Sequence, residues 1–584
     1  MARRKAVRLV LLLIVCASIF SIAAVAGTFL MMYGEPSVPE GATLVLRVGA
    51  LPEGPGGGGI GDLLGTRRTL SLAEVLDSLK KAKADARVRR VLIIPTGLPA
   101  AYWAKIQDVR DAIVDFRTSG KPAVAYLEYG GQREYYLASA CDQIFLMPNS
   151  PLDLTGLASY EVFLRGLFDK IGAEPDLHHI GDYKTASNQM TEETFTAAHR
   201  EMAESLNNDL FEQLVEGIAE GRGKSTAEVE ALIDEGPFLP DAARDAGLVD
   251  VLAYEDQIED LVTDADGEFR RLEGPSYARV RSSSLGLGSA PRMGVIYISG
   301  TIASGRGGFD PLYGGIAGSE VIVEQIRRAR DDSSLRALVV RIDSPGGSTI
   351  ASDVIWRALA LARAEQPDRP IVVSMSDLAA SGGYYVAMPA HALVAQPGTL
   401  TGSIGIYGGK VTTGGTYEKL GMNIETVSRG RYADMSSPVR RYDEAERKKL
   451  EEQLAAFYDQ FIEKVAESRQ MSKDDVDAIA QGRVWTGRQA HEVGLVDELG
   501  GLTTAVAVAK RRAGIADDRE VELVAYPARL GVFDLLFDQL GRAAYSRLPD
   551  ATAALVQAVA PFAYPGGLFR SGEALALMPL VFAR

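Results

Sequence analysis

Short apolar runs along the chain alternate with segments of helical composition. The runs at residues 42–48, 88–94, 293–298, 335–342 and 370–375 are rich in aliphatic and β-branched residues, which is typical of buried strands. Stretches with polar positions at helical spacing separate many of them. This alternation predicts an α/β fold built around parallel sheets.

The chain also repeats itself. The motif Glu-Tyr-Tyr-Leu-Ala at 134–138 returns 249 positions later as Gly-Tyr-Tyr-Val-Ala at 383–387. Towards the end of each unit, Asp-Ala-Gly-Leu-Val-Asp at 245–250 returns as Glu-Val-Gly-Leu-Val-Asp at 492–497. Helix and strand signals recur in the same order around these motifs, so the sequence predicts a tandem duplication of one fold.

These patterns divide the chain into six segments. We predict a cytoplasmic N-terminus at 1–8, a transmembrane anchor at 9–33, a first copy at 40–267, a linker at 268–291, a second copy at 292–513, and a C-terminal strand with an apolar tail at 514–584. The linker assignment rests on its Ser- and Gly-rich composition. Within the tail, apolar residues at helical spacing predict a helix at 532–548 that contacts a core or a subunit.

The anchor assignment rests on length and charge. Residues 9–33 contain no charged side chain and can cross a bilayer. Four basic residues precede this run, whereas Glu35 and Glu40 follow it, so the N-terminus is expected in the cytoplasm and the bulk on the periplasmic or extracellular face of the inner membrane. A signal peptide cleaved after Ala26 is the open alternative, although such peptides have apolar regions of only about 7–15 residues.

Composition excludes several classes of function. The net charge is −15 and basic residues cluster only at the N-terminus, which argues against a nucleic-acid partner. Cys16 and Cys141 are too few for a disulfide framework and suggest neither redox chemistry nor a cysteine metal site. His178 and His179 are adjacent on a predicted strand and therefore point to opposite faces. We expect no metal and no cofactor.

Ser381 follows a buried strand and precedes a segment of helical composition. Gly382 and Gly383 come directly after it, and glycines allow another backbone to approach closely. The free amides at a helix start can donate to an anion. Acyl transfer to a serine needs these features, although Ser381 as a simple helix N-cap is the alternative.

The two copies differ in a complementary way. The position equivalent to Ser381 is Gln132 in the first copy, which therefore lacks a nucleophile there. Conversely, Lys184 of the first copy corresponds to Ala433 of the second. Only the second copy has a Gly-Gly turn, at 343–348, after the equivalent strand. We infer that the copies divide a nucleophile and a base between them.

Five short motifs occur together in the second copy. They are Ser-Pro-Gly-Gly-Ser at 344–348, Ala-Ala-Ser-Gly-Gly-Tyr-Tyr at 379–385, Leu-Thr-Gly-Ser-Ile-Gly-Ile at 400–406, Trp-Thr-Gly at 485–487 and Gly-Leu-Val-Asp at 494–497. Together they resemble the signal peptide peptidase A family, also called protease IV, in its long duplicated form. The resemblance covers most of residues 40–525 and implies two copies of a ClpP/crotonase-like fold.

The resemblance also implies roles for individual residues. Ser381 matches the nucleophile and Lys184 the general base of a Ser-Lys dyad at the junction of the copies. The amides of Gly346 and Gly382 match the oxyanion hole. A lysine with a pKa of about 10.4 is neutral only about once in 2,500 at pH 7, so this base has to be buried.

Two further hydroxyls are expected near the base. By resemblance, Ser403 orients the amine, and Thr185 stands where the family often has a serine. Because Ser403 is also flanked by glycine, it is a rival nucleophile, but Gly382 favours Ser381 through its adjacent amide. A Ser-His-Asp site is the competing arrangement, yet none of the five histidines lies in a recognisable triad motif.

The sequence therefore predicts a membrane-anchored serine endopeptidase that degrades remnant signal peptides and other apolar peptides. The resemblance implies a homotetramer over the membrane. Two alternatives remain open. One is a catalytically silent membrane scaffold of the same fold, and the other is a crotonase-like acyl-CoA enzyme, whose Gly-Gly turn would also bind an oxyanion.

Overall fold

The computed structural model describes a large part of both predicted copies. The described residues are 35–54, 70–98, 102–263, 269–287, 291–310, 314–526, 569, 573–579 and 582–583. The predicted anchor at 9–33 and the predicted helix at 532–548 lie outside them. Within the described ranges, no helix has the length and apolar character that a bilayer crossing requires.

The first copy alternates strands and helices as expected. Its strands are β1 Ala42–Val48, β2 Val88–Pro95, β3 Ala123–Leu127, β4 Gly130–Gly131, β5 Gln143–Leu146, β6 Leu152–Asp153, β7 Ser159–Tyr160, β8 Glu174–Ile180, β9 Val251–Leu252 and β10 Arg271–Glu273. Its helices are α1 Leu72–Ala84, α2 Trp103–Arg117, α3 Gln132–Ala138, α4 Arg165–Ile171, α5 Asn188–Thr191, α6 Ala197–Arg222, α7 Thr226–Glu235, α8 Pro240–Asp245, α9 Glu255–Val262 and α10 Gly274–Tyr277. Short 3₁₀ turns occur at Thr185–Ser187 and Ser282–Leu285.

The second copy and the C-terminal residues follow. The strands are β11 Arg292–Ser299, β12 Thr301–Ala303, β13 Gly308–Asp310, β14 Gly314–Gly318, β15 Leu335–Ser344, β16 Gly346–Ser348, β17 Ile371–Ala380, β18 Ala392–Ala395, β19 Leu400–Gly402, β20 Ile406–Thr412, β21 Val484–Thr486, β22 Glu498–Leu499, β23 Glu522–Tyr526, β24 Leu575–Leu577 and β25 Phe582–Ala583. The helices are α11 Ser319–Asp331, α12 Thr349–Glu365, α13 Gly382–Ala387, α14 Gly414–Lys419, α15 Glu444–Arg469, α16 Lys473–Ile479, α17 Gly487–Glu492 and α18 Leu502–Arg512.

Both copies build the same parallel sheet, which confirms the α/β duplication. Among the described residues, the first sheet has the order β10-β1-β2-β3-β5-β9. The second sheet contains the matching order β23-β11-β15-β17-β18-β22, and β19 and β21 extend it beyond β17. The predicted linker at 268–291 contains β10, which pairs in parallel with β1 at the edge of the first sheet.

A third sheet is shared between the copies and lies at their junction. Its order among the described residues is β13-β14-β12-β16-β24-β20-β8, where β8 comes from the first copy and β24 from near the C-terminus. The long helices α6 and α15 cross over in a reciprocal way, because α6 packs on β21 of the second copy while α15 packs on β8 of the first. One large apolar core also contains residues of both copies. The copies therefore form a single packed unit around the junction.

Candidate active site

Ser381 lies at the turn between β17 and α13, which confirms its predicted place between a strand and a helix. Its φ is +54° and its ψ is −112°, a conformation that costs a non-glycine residue about 1–3 kcal/mol. The backbone N–H of Ser381 donates to the Gly402 carbonyl at 2.8 Å and helps to hold this turn. Ser381 is the N-cap residue of α13, but within the described chain its hydroxyl makes no capping bond to the helix.

The hydroxyl of Ser381 instead faces Lys184 of the first copy. Lys184 is fully buried, and its Nζ lies 2.8 Å from Ser381 Oγ. The same nitrogen lies 3.0 Å from both the hydroxyl and the carbonyl oxygen of Ser403. Burial lowers the pKa of Lys184 well below its ordinary value. The structure thus brings Lys184 to two serines that lie 197 and 219 residues further along the chain.

Two glycines leave the space that Lys184 occupies at this position. A Cβ built on Gly482 would stand 2.5 Å from Lys184 Cα, and one built on Gly405 would stand 3.1 Å from Lys184 Cδ. The preceding Tyr183 N–H donates to the Gln481 carbonyl at 2.8 Å, so two loops from different copies lie against each other. Gly482 and Gly405 were not predicted as site residues. The available signal was weak, because glycines are frequent in this chain.

Ser403 is held as firmly as Ser381. Its φ is +49°, again a region that favours glycine. Its N–H donates to the Arg483 carbonyl at 2.7 Å, while the Gly482 N–H donates to the Ile404 carbonyl at 2.8 Å. Two strained serines therefore surround one buried amine. Strain of this kind persists where the surrounding structure fixes it, and it is concentrated at functional sites.

Thr185 follows Lys184 in the sequence but does not hydrogen-bond its amine. It lies in the 3₁₀ turn that follows Lys184, and its side chain is buried. Its hydroxyl has no hydrogen-bond partner among the residues that the structure describes, so it is not brought to the amine. Ser403 alone supplies both oxygens that Lys184 contacts besides Ser381.

Gly346 and Gly382 lie side by side next to the serine. Gly346 has a φ of +100°, and a Cβ built on it would stand 2.7 Å from the Gly382 amide nitrogen. Only glycine fits this approach. In this structure the Gly346 N–H donates to Ser344 Oγ at 3.2 Å, which is at the long end for a hydrogen bond. The two amides are thus close together, and the Gly346 amide makes only a weak hydrogen bond.

A buried ionic cluster joins the copies behind the glycine turn. Arg341 of the second copy is fully buried and binds Glu53 at 2.9 Å and Asp108 at 2.8 Å, both from the first copy. Beside it, Lys105 Nζ lies 2.7 Å from Asp343, the residue that begins the glycine-turn motif. Burial opposes the charge of Arg341, but Glu53 and Asp108 raise its pKa. This cluster was not predicted, because its members are distant from one another in the sequence.

An amine, not an imidazole, lies at the Ser381 hydroxyl among the described residues. Within the described ranges, no group of three or more His, Cys, Asp or Glu side chains is arranged to hold a metal ion. His178 and His179 both lie on β8, and His178 Nε2 is 3.3 Å from Asp176. The group that hydrogen-bonds the Ser381 hydroxyl is an amine rather than an imidazole. The arrangement can therefore deprotonate a serine with a neutral lysine.

Comparisons with known proteins show the family to which the chain is similar. The chain matches peptidase family S49 over residues 115–267 and again over 363–516, once in each copy. It is 37% identical to the chloroplastic serine protease SPPA of Arabidopsis thaliana over 78% of this chain and 68% of that protein. It is 32% identical to Protease 4 of Salmonella typhi over 84% of this chain and 79% of that protein. A putative signal peptide peptidase SppA of Enterococcus faecium is 33% identical, over 34% of this chain and 57% of that protein.

Proposed function

The chain belongs to peptidase family S49 and is a serine peptidase, and from this premise we propose that its two copies share one Ser-Lys dyad. Ser381 is the nucleophile and Lys184 the general base. Ser403 orients the base, and the amides of Gly346 and Gly382 form the oxyanion hole. The observation that carries this proposal is the 2.8 Å contact between the buried Lys184 Nζ and Ser381 Oγ.

The three contacts of the amine suit a neutral lysine. A neutral amine has two N–H donors and one lone pair. The Ser403 carbonyl can only accept, so it takes one N–H, and the Ser403 hydroxyl can accept the other. The lone pair then remains for the O–H of Ser381. Burial lowers the pKa of the Lys184 amine, which favours its uncharged form and suits a group that accepts a proton.

Catalysis then proceeds through an acylation stage and a deacylation stage. Ser381 Oγ adds to the scissile carbonyl carbon while its proton passes to Lys184. The resulting oxyanion accepts hydrogen bonds from the Gly382 amide and from the Gly346 amide, which exchanges its 3.2 Å bond to Ser344 for this stronger acceptor. The protonated lysine gives its proton to the leaving amine. Water repeats the sequence on the acyl-enzyme and frees Ser381.

The proposal extends to substrates and location. Apolar peptides, including remnant signal peptides, suit a site whose base must stay dehydrated. The apolar run at 9–33 anchors the chain in the inner membrane, with the catalytic bulk on the periplasmic or extracellular side. A homotetramer and a ClpP/crotonase-like architecture of each copy complete the proposal. The anchor is tested by flotation with liposomes, in which the full chain is compared with a chain that begins at residue 35. Light scattering tests the tetramer.

The dyad is tested by peptide hydrolysis and serine labelling together. With an apolar fluorogenic peptide, we expect Ser381→Ala and Lys184→Met to be inactive and Ser403→Ala to be impaired. A fluorophosphonate probe should label Ser381 in the wild type. If Ser403→Ala is inactive while Ser381→Ala works, Ser403 is the nucleophile. Folded wild-type protein that neither hydrolyses peptide nor reacts with the probe would support the silent scaffold.

The acyl-CoA alternative makes a different prediction. A crotonase-like enzyme would use the glycine turn without needing Ser381 as a nucleophile. Membership in a peptidase family weighs against this alternative. Turnover of an acyl-CoA thioester by the Ser381→Ala protein, in the absence of peptidase activity in the wild type, would revive it.

A further inference from the structure

The pairing of β15 with β17 is irregular just before the glycine turn and the serine turn. The parallel register is regular up to Ile342 and resumes at Ser344, but it skips residues 376–378 of β17. Only Asp343 lies between these two register positions on β15, so three residues face one. We call residues 343 and 376–378 the bulge. Bulges of this kind occur beside active sites, where they redirect the chain.

The amine of Lys105, from the first copy, binds both carboxylates of the bulge. Its Nζ lies 2.7 Å from Asp343 Oδ2 and 3.5 Å from Asp377 Oδ2. Glu53 Oε1 is 3.6 Å from the same nitrogen, and only 12% of the lysine side chain is exposed. Burial opposes the charge of Lys105, but the three carboxylates raise its pKa, so the amine is a cation in the fold.

The backbone at the start of α2 binds the same bulge. The Lys105 N–H donates to Asp377 Oδ1 at 3.0 Å, and the Tyr102 N–H donates to Asp377 Oδ2 at 3.3 Å. Tyr102 is the N-cap residue of α2, and within the described chain its own side chain makes no capping bond. Asp377 of the second copy thus caps a helix of the first, where the helix dipole also favours a carboxylate. Lys105 is therefore fixed by both its side chain and its backbone.

Short contacts link the bulge to the glycine turn and the serine turn. The Leu378 N–H donates to Asp343 Oδ1 at 3.3 Å, which joins the two strands at this point. Asp343 is followed by Ser344, whose Oγ accepts the Gly346 N–H at 3.2 Å. A Cβ built on Gly383 would stand 2.8 Å from the Ser344 carbonyl oxygen, so the two turns lie against each other. A shift of Asp343 would therefore displace both turns.

The partners of Lys105 differ from those of the neighbouring cation Arg341. The two carboxylates that pair with Arg341, Glu53 and Asp108, both belong to the first copy. Arg341 thereby fastens one copy to the other. Lys105 pairs instead with carboxylates of the second copy that stand directly before the reactive turns. Its place is suited to setting the shape of the site as well as to joining the copies.

We propose that Lys105 is a positioning residue, which holds the Gly346 amide and the Ser381 turn in the geometry that receives the tetrahedral oxyanion. The inference rests on the proposed function and adds a second contribution of the first copy to it. That copy supplies the base through Lys184 and the shape of the oxyanion hole through Lys105. The lysine acts through the bulge, not on the substrate.

Peptide hydrolysis by Lys105→Met tests this role. Methionine has a similar length and no charge. We expect kcat to fall about a hundredfold and KM to change less than about threefold, because a misplaced amide weakens binding of the oxyanion and not of the substrate. Lys105→Arg keeps the charge and should recover kcat to within about tenfold of wild type. Lys83→Met is the control, since Lys83 makes an ion pair of the same 2.7 Å length with the exposed Asp115, and it should leave kcat unchanged.

Inhibitor binding separates positioning from a general loosening of the fold. A peptide aldehyde adds to the Ser381 hydroxyl and places its oxygen in the oxyanion hole, whereas the corresponding peptide alcohol cannot form this adduct. Lys105→Met should weaken binding of the aldehyde about a hundredfold and binding of the alcohol less than about threefold. Equal losses for the two inhibitors, or a kcat within threefold of wild type, would overturn the inference.

Asp343→Asn covers the case in which Lys105→Met fails to fold. It removes the carboxylate nearest to the Lys105 amine and creates no unpaired carboxylate. This variant should weaken the aldehyde at least about tenfold more than the alcohol, and an unchanged ratio of the two inhibition constants would contradict the inference. If wild type neither cleaves peptide nor binds the aldehyde, and the fluorophosphonate probe does not label Ser381, the proposed function itself fails and this inference fails with it.

Discussion

Lys184→Met should make the folded protein more stable while abolishing its activity. Lys184 is fully buried and its pKa is lowered by that burial, so folding has to remove a proton from an amine that is charged in the unfolded chain. At pH 7 this costs up to about 5 kcal/mol for an ordinary pKa of about 10.4. Methionine has a similar length and no charge, so the substitution removes this cost.

The gain is reduced by the contacts that disappear. The amine contacts Ser381 Oγ at 2.8 Å and two oxygens of Ser403 at 3.0 Å. Leaving these buried groups without their partner costs about 1–3 kcal/mol. The net expectation is that Lys184→Met raises the free energy of unfolding by about 2–4 kcal/mol at pH 7. A destabilised active site of this kind is a known trade of stability for function.

The pH dependence distinguishes this mechanism from simple apolar packing. Because the folded pKa is lowered, the unfolded chain binds more protons up to a pH of about 10.4, and wild-type stability rises by about 1.4 kcal/mol per pH unit. The methionine protein lacks this slope. The difference between the two proteins should therefore shrink as pH rises and should vanish or reverse by about pH 10.

Urea denaturation at pH 7, 8 and 9, followed by tryptophan fluorescence, measures this difference. All other titrating groups are common to both proteins and cancel. Lys449→Met is the matched control, because half of that side chain is exposed and it should give a pH-independent difference. A Lys184→Met protein that is less stable at pH 7, or whose difference from wild type stays constant with pH, would mean that Lys184 is charged in the fold.

Three further changes test the surroundings of the site. Gly482→Ala places a Cβ against the backbone of Lys184 and should lower kcat/KM for peptide hydrolysis about a hundredfold. Gly494 has the same φ of +80° but has open space beside it, so Gly494→Ala should leave kcat/KM unchanged in the same assay. Ser403→Ala removes one of three contacts of the amine and should lower kcat about 10–100-fold without unfolding, as circular dichroism will confirm. Arg341→Met takes the guanidinium away from the buried carboxylates of Glu53 and Asp108 and should lower stability to urea by about 3–5 kcal/mol, while the exposed Arg328→Met should not; equal midpoints would contradict the role of the cluster.

The hydrophobic pattern predicted strand positions well where strands are uniformly apolar. The run at 42–48 coincides with β1 Ala42–Val48. The run at 370–375 was too short, because β17 continues to Ala380 through Ser376 and Asp377. Those polar residues are buried, and the Ser376 hydroxyl accepts a hydrogen bond from Arg341 at 2.9 Å. A polar residue inside a strand ends the apolar pattern even when a distant partner satisfies it.

The same limit explains which site residues the sequence could not give. Ser381 and Lys184 stood out because one copy lacks what the other has. Glu53 lies beyond the apolar run at 42–48, yet only 5% of its surface is exposed, because Arg341 binds it from the other copy. Gly482 matters only because the lysine approaches it, and β24 is a three-residue strand whose partners are more than 150 positions away. Each depends on a contact across the junction, which local pattern does not encode.

The junction itself accounts for the chemistry of the base. Lys184 belongs to the first copy, whereas the residues that surround it belong to the second. These residues are Ser381, Ser403 and Gly482. A single copy would leave this lysine beside water with an ordinary pKa. Docking of the copies is therefore the step that lowers the pKa of the base. The buried ion pairs of Arg341 with Glu53 and Asp108 of the first copy also join the two copies, so we expect their loss to affect the proposed base only through this docking.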